Sequence, residues 1–188
     1  MYNVGVAFEV LVKGKGASPG WNKVTEQLCW DVKLNFERKA RWVLDVQKKA
    51  NPVGSTHAGV VSRESVRITF TIAGLNEVDV CAKGIRNAYL QAPSSRKYYI
   101  ICGIEFGFEH ESKNSLIHRA LYDGKTAGKY FRNHLRSCMR HLDFLSCLAD
   151  PDVWMCPAVK SDGTEYYKYI LLYTDVVLCV SEFPERIL

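Results

Sequence analysis

A chain of 188 residues that is 47% hydrophobic holds enough apolar material for a real core, which excludes a disordered segment and suits one globular domain. Its formal charge of +5 permits polyanion binding without requiring it, so where the charges fall matters more than their sum. The longest apolar runs, such as VVLCV, are far shorter than the roughly 20 residues a membrane-spanning helix needs, and MYNVGVAFEVLVKGKG has no continuous signal-peptide block; a soluble chain, cytoplasmic or nuclear rather than secreted and with no membrane partner, is expected.

In chain order, residues 1–20, ending in the turn-rich KGKGASPG, read as a flexible N-terminal segment ahead of a folded domain over 21–188. WNKVTEQLCWDVKLNFERKARWVLDVQ alternates β-branched and aromatic residues with charged ones, the pattern of exposed antiparallel strands. NPVGSTHAG reads as a loop, and RESVRITFTIAGLNEV has the i, i+3, i+4 apolar spacing of a packed helix. VDVCAKGIRNAYLQAP begins as a strand and turns helical, and KYYIICGIEFG is a further strand.

From Thr126 to Leu145 the spacing predicts an amphipathic helix with Phe131, Leu135, Cys138, Leu142 and Leu145 on one face. Lys125, Lys129, Arg132, Arg136 and Arg140 gather within about 80° on another face, at about 100° per residue. That face is either an ordinary solvated surface or a stripe that tracks nucleic-acid phosphates. DVWMCPAV, EYYKYILLY and VVLCVSE then read as three antiparallel strands, with turns at Ser161-Asp162-Gly163 and Thr174-Asp175. The class is mixed α+β.

The seven cysteines form no CxxC pair and lie mostly in apolar segments, as buried reduced thiols do. His134, Cys138 and His141 share a helix face, yet one helix rarely closes a zinc site alone. Asp175 is the lone carboxylate of YILLYTDVVLCV. It is either a turn former, bonding nearby backbone N–H groups, or a metal ligand held at the sheet surface by a rigid hairpin.

Six segments, ERKARWVLDVQ, VVSRESVRI, GIRNAYLQAP, HRALYDGKTAGKYFRNHL, DPDVWM and YILLYTDVVLCVSE, resemble in order and spacing the reverse transcriptase domain of copia-type LTR retrotransposons, from about Trp21 onward. The resemblance implies a polymerase fingers-and-palm fold, an antiparallel palm sheet with packed helices, that copies an RNA or DNA template-primer from deoxynucleoside triphosphates. It also implies three palm aspartates holding two Mg²⁺ ions, one after the strand written here VCAKG and two in a Tyr-x-Asp-Asp hairpin. Two such metals must stabilise both the attacking and the leaving oxygen, and several converging carboxylates offset their charge.

The chain departs from that pattern at the metal site. The first aspartate of the family is Gly84 here, and Tyr-x-Asp-Asp is Tyr173-Thr174-Asp175-Val176, so of three carboxylates only Asp175 remains. Both replacements are single-base changes from an Asp codon, as in a decaying element copy, and the chain is expected to be a pseudoenzyme that extends no primer. Asp79 is no substitute, since five residues along a strand put it on the opposite face and about 17 Å from Gly84.

Other family roles carry over. Tyr89 matches the aromatic beneath the incoming sugar, against a simpler reading as a core aromatic, and Lys39 and Arg41 match basic fingers residues near triphosphate or template, against a plain exposed strand. The family's Leu-Tyr-Gly-Leu-Lys-Gln segment is only partly kept in Leu121-Tyr122-Asp123-Gly124-Lys125-Thr126. The chain ends eight residues after Val180, so the thumb is expected to be absent. The alternative function is a non-catalytic nucleic-acid-binding remnant that uses Lys39, Arg41 and the basic helix face.

Overall fold

The computed structural model describes residues 7–45 and 58–188. In chain order its elements are strands β1 (Phe8–Val10), β2 (Asn22–Lys23), β3 (Thr25–Val32) and β4 (Arg38–Asp45), helix α1 (Arg63–Leu75), strand β5 (Asp79–Gly84) and the single turn α2 (Ala88–Gln91). Strands β6 (Pro93–Ile101) and β7 (Asn114–Arg119), helix α3 (Ala127–His141), and strands β8 (Leu145–Ser146), β9 (Val153–Val159), β10 (Glu165–Tyr173) and β11 (Val176–Ser181) follow. The class is mixed α+β and rich in sheet. No helix among the described residues is long and apolar enough to cross a membrane.

The chain divides into two compact units, the first holding residues 7–45 with Tyr89–Phe131, the second Ala58–Ala88 with Arg132–Leu188. Each has its own apolar cluster. In the first, a sheet of order β1-β7-β6-β2 gathers Phe8, Val24, Leu44, Ile100, Ile117 and Leu121. The N-terminal segment, expected to be flexible over 1–20, contributes to this sheet: Phe8–Val10 pair antiparallel with Ser115–Ile117. Its apolar anchors are the reason, since Phe8 is 6% exposed and meets Phe106 edge-on at 5.4 Å. The β3–β4 hairpin forms its own two-stranded sheet, anchored by Leu44 in the cluster and exposing Trp30, Leu34 and Phe36 at its far end, in keeping with the exposed strands expected there. The loop read at 51–59 lies outside the described residues except for its last two, Ala58 and Gly59.

The second unit is built on an antiparallel sheet of order β5-β11-β10-β9-β8. Val61, Val153 and Leu171 form its core with Val66 of α1, Tyr169 and Leu178 packed against them. Burying an aliphatic side chain such as Leu171 contributes about 1.5–3 kcal/mol each. Helix α1 starts where Ser62 Oγ accepts the Ser65 N–H at 3.1 Å, a side-chain cap for an otherwise orphaned donor. It stops at Glu77, whose φ of 50° allows Val78 N–H to reach back to Ala73 O at 3.1 Å.

Helix α3 ends at His141, four residues short of the expected Leu145. Asp143 turns left-handed at φ 61°, Phe144 N–H closes on Met139 O at 3.0 Å, and Leu145 enters β8. Leu142 and Leu145 are consequently exposed, while Phe131 and Leu135 of the same expected face are buried.

Candidate functional site

Strand β11 lies between β10 and β5, and this order brings together residues far apart in the chain. Tyr173 pairs with Val176, leaving Thr174 and Asp175 as a two-residue turn, and Val176 pairs on its other side with Gly84. Ile85 N–H donates to Asp175 O at 2.7 Å, which makes Gly84 and Val176 a non-hydrogen-bonded pair, the kind whose Cα atoms approach to about 4.5 Å. Paired residues share a face. A Cβ built on Gly84 would meet nothing within 4 Å, and Asp175 is exposed. Asp79 pairs with Ser181 at the far end of β5.

Thr174 has φ 52°, an unusual conformation for a β-branched residue and a strained one. The sheet corner thus carries a taut turn, one exposed carboxylate, and two facing positions with no ligating atom. Among the described residues no three His, Cys, Asp or Glu side chains are grouped to hold a metal ion. On the helix, His134 Nε2 and Cys138 Sγ stand 3.9 Å apart without a third ligand set around them. The donor set at the corner does not fit a pair of Mg²⁺ ions, because one carboxylate cannot offset or bridge two divalent charges.

Tyr89, Arg41 and Lys39 belong to the first unit. The Tyr89 ring lies 4.9 Å from Tyr122 and 5.9 Å from Phe131, and the Arg41 guanidinium carbon stands 5.9 Å over the Tyr122 ring. Lys39 precedes Arg41 by two residues on β4 and so shares its face. Tyr122 joins Tyr89 and Arg41 in one aromatic-cation cluster, a contact that no spacing in the sequence announces.

Compared with family models, curated proteins and solved structures, the chain matches none.

The three arginines on the basic face of α3 contact other groups of the second unit. Arg132 grips Asp152 with two bonds, Nε to Oδ1 at 2.9 Å and Nη2 to Oδ2 at 2.6 Å, while the Asp152 side chain is only 3% exposed. Gly59 closes over this pair, since a Cβ there would stand 3.1 Å from Arg132 Nη2. Arg136 and Arg140 each hold their guanidinium carbon 5.6 Å from the ring of Trp154, which is buried. Three of the five cations therefore cover protein groups, the arginine stems and planar heads serving as packing material. Lys125 and Lys129 are half-buried.

Asp150 is a structural carboxylate that periodicity does not reveal. Its Oδ2 accepts the Ser62 N–H at 2.9 Å and the Ser65 hydroxyl at 2.7 Å, and its Oδ1 accepts the Asp152 N–H at 3.1 Å. Burial alone would raise its pKa, but these bonds outweigh it and hold the carboxyl below its ordinary value. The only available signal was DPD placed just before a strand. All seven cysteines are free; only Cys102 and Cys179 are fully buried, and burial, reinforced by Cys81 opposite, pushes the Cys179 thiol up to about 11.

Proposed function

We propose that this chain is a degenerate reverse transcriptase domain of the copia-type retrotransposon kind, with a fingers-and-palm fold and a metal centre that has lost two of its three carboxylates. One observation carries the reading: Gly84, Asp175 and Val176, the three positions where the resemblance puts aspartates, meet at one corner of the β5-β11-β10 sheet, Gly84 directly opposite Val176 and Asp175 beside it. A sequence resemblance assembled from unrelated matches has no reason to make those positions cross-strand neighbours. The open space at Gly84 further supports it, since an aspartate would fit there without displacing anything.

In this reading the ancestral partners are an RNA or DNA template-primer and deoxynucleoside triphosphates, and the present chain incorporates none. The test is primer extension on an RNA template with Mg²⁺, run for the chain and for the double variant Gly84→Asp, Val176→Asp. Incorporation by the double variant alone is expected. Template-directed, metal-dependent incorporation by the parent would overturn the loss of activity. A folded double variant that neither binds Mg²⁺ nor incorporates would overturn the assignment of the corner.

A second reading, a non-catalytic nucleic-acid-binding remnant, is favoured by the placement of Lys39 and Arg41 on one face of the β3–β4 hairpin. Its expected signature is sequence-indifferent binding whose log K falls as log salt rises. Binding that ignores salt, or that survives Lys39→Ala with Arg41→Ala, removes it.

A further inference from the structure

At the other end of the same sheet the second unit carries a concave pocket of about 350 Å³, lined among others by Lys160, Lys168, Arg186, Tyr166, Ser181 and Glu182. Lys168 stands five residues before Tyr173 on β10, about 17 Å along the strand, so the pocket is distinct from the corner at Asp175. A volume of this size is at the small end of those that take small-molecule ligands.

The charges do not balance from within. Glu182 is the one carboxylate in the lining, and it is already committed: its two oxygens accept the Ser161 N–H at 3.1 and 3.0 Å, and the Ser161 hydroxyl donates to it as well. Lys160 donates to the Asn76 carbonyl, and Arg186 lies over the Phe183 ring at 4.4 Å. Among the described residues, neither Lys168 nor Arg186 has a carboxylate within 4.0 Å.

Lys168 is the telling residue. It lies between Tyr166 and the buried Ile170 on one face of a central strand, where an apolar side chain is the ordinary occupant, and it is half-buried. With no carboxylate beside it among the described residues, its ammonium is available to an anion, whose charge-assisted bonds would offset the partial desolvation of the side chain. The pocket also offers polar groups of the right kind. Tyr166 OH stands 3.1 Å from Ser181 Oγ and accepts the Glu182 N–H at 3.1 Å; one hydroxyl proton makes the Tyr166–Ser181 bond, which leaves the other for a ligand oxygen.

The geometry points to a site for a phosphate monoester of small-molecule size, its oxygens shared by Lys168, Arg186 and Lys160 with the Tyr166 and Ser181 hydroxyls below. Phosphate suits this set better than a carboxylate, because three or more oxygens can take charge-assisted bonds from several directions at once. The inference does not depend on the polymerase reading, and it assigns no reaction.

The test uses the full chain. Melting is followed with inorganic phosphate or glycerol phosphate against chloride at matched ionic strength, and dissociation constants are taken from ³¹P line broadening. Both phosphates are expected to raise the melting temperature, with the monoester at least as tight as the free ion. Lys168→Met and Arg186→Met are each expected to weaken binding about tenfold, the equivalent of about 1.4 kcal/mol. Melting without ligand shows that each variant is folded, and the exposed Arg186 keeps the test valid should Lys168→Met fail to fold. Affinity unchanged in Arg186→Met, stabilisation by chloride equal to that by phosphate, or tighter binding of free phosphate with exclusion of the monoester would each overturn the proposal. So would binding of an oligonucleotide by a chain that ignores both small phosphates, which would make the pocket part of a polynucleotide surface.

Discussion

Gly84 and Val176 face each other across β5 and β11 as the last paired residues before the Thr174-Asp175 turn, and the space above Gly84 is open. Placing aspartate at both positions would set three carboxylates on one small patch. Like charges directly opposite in a sheet destabilise it, by about 0.2–1 kcal/mol for such a pair. The double variant is therefore expected to melt below the parent in the absence of divalent ions. Mg²⁺ at ten times its dissociation constant would then add about 1.4 kcal/mol, raising the melting temperature of a chain this size by about 3–6 °C. The parent, with Asp175 alone, is expected to show no such response, and a calorimetric scan with and without Mg²⁺ decides the matter independently of any polymerase assay.

The bidentate Arg132–Asp152 pair predicts a large and specific loss. Removing Arg132 leaves a carboxylate that is 3% exposed without its partner, and breaking a buried pair from one side costs about 3–5 kcal/mol. Arg132→Met is expected to lose that much in urea denaturation, and Arg132→Met with Asp152→Leu to recover a large part of it, since no buried charge is then left alone. Equal losses in the single and double variants would mean that the pair matters for its packing alone.

The sequence made some of this legible for definite reasons. The β9–β11 strands and α1 are apolar-rich runs of the length of one element, so their existence and type could be read from the chain. The α3 boundary was not legible, because its stop depends on Asp143 taking a left-handed φ, which an aspartate tolerates but does not demand. The fate of the basic stripe was equally hidden: helix spacing groups Arg132, Arg136 and Arg140, whereas Asp152 and Trp154, which receive them, lie beyond the helix, in the turn before β9 and on β9 itself. Lys168 left a faint signal, a lysine in step with the apolar residues of EYYKYILLY, and its meaning depends on the curvature that closes a pocket around it. The pairing of Gly84 with Val176 is a matter of strand order, which no local pattern contains.

Asp150 should make the second unit sensitive to acid. Its carboxyl is held below the ordinary value by three hydrogen bonds that outweigh burial, so its contribution is full above the unfolded carboxylate range and is lost as pH falls through that range toward the lower folded value. The amide of Asp150→Asn does not titrate. Stability measured from pH 5 down to pH 3 is expected to fall less steeply in Asp150→Asn than in the parent, although the variant starts lower because it replaces charge-assisted bonds to Ser62 and Ser65 with neutral ones. Parallel slopes would show that other carboxylates govern acid unfolding.

Thr174 offers the sharpest test of strain at the sheet corner. A left-handed conformation costs an L-residue about 1–2 kcal/mol, and glycine avoids that cost while forfeiting about 0.4–1 kcal/mol through the entropy of the unfolded chain. With Thr174 at φ 52° and Glu77 at φ 50°, both Thr174→Gly and Glu77→Gly are expected to stabilise, by up to about 1.6 kcal/mol. Branching at Cβ adds to the penalty, so the gain should be larger at Thr174. The two sites then part company in the Gly84→Asp, Val176→Asp background. If the taut turn is what aims Asp175, adding Thr174→Gly should weaken Mg²⁺ binding even as it raises stability, whereas Glu77→Gly, at the end of α1, should leave Mg²⁺ binding unchanged. Equal Mg²⁺ affinity with and without Thr174→Gly would assign the strain to the hairpin alone and not to the carboxylate it carries.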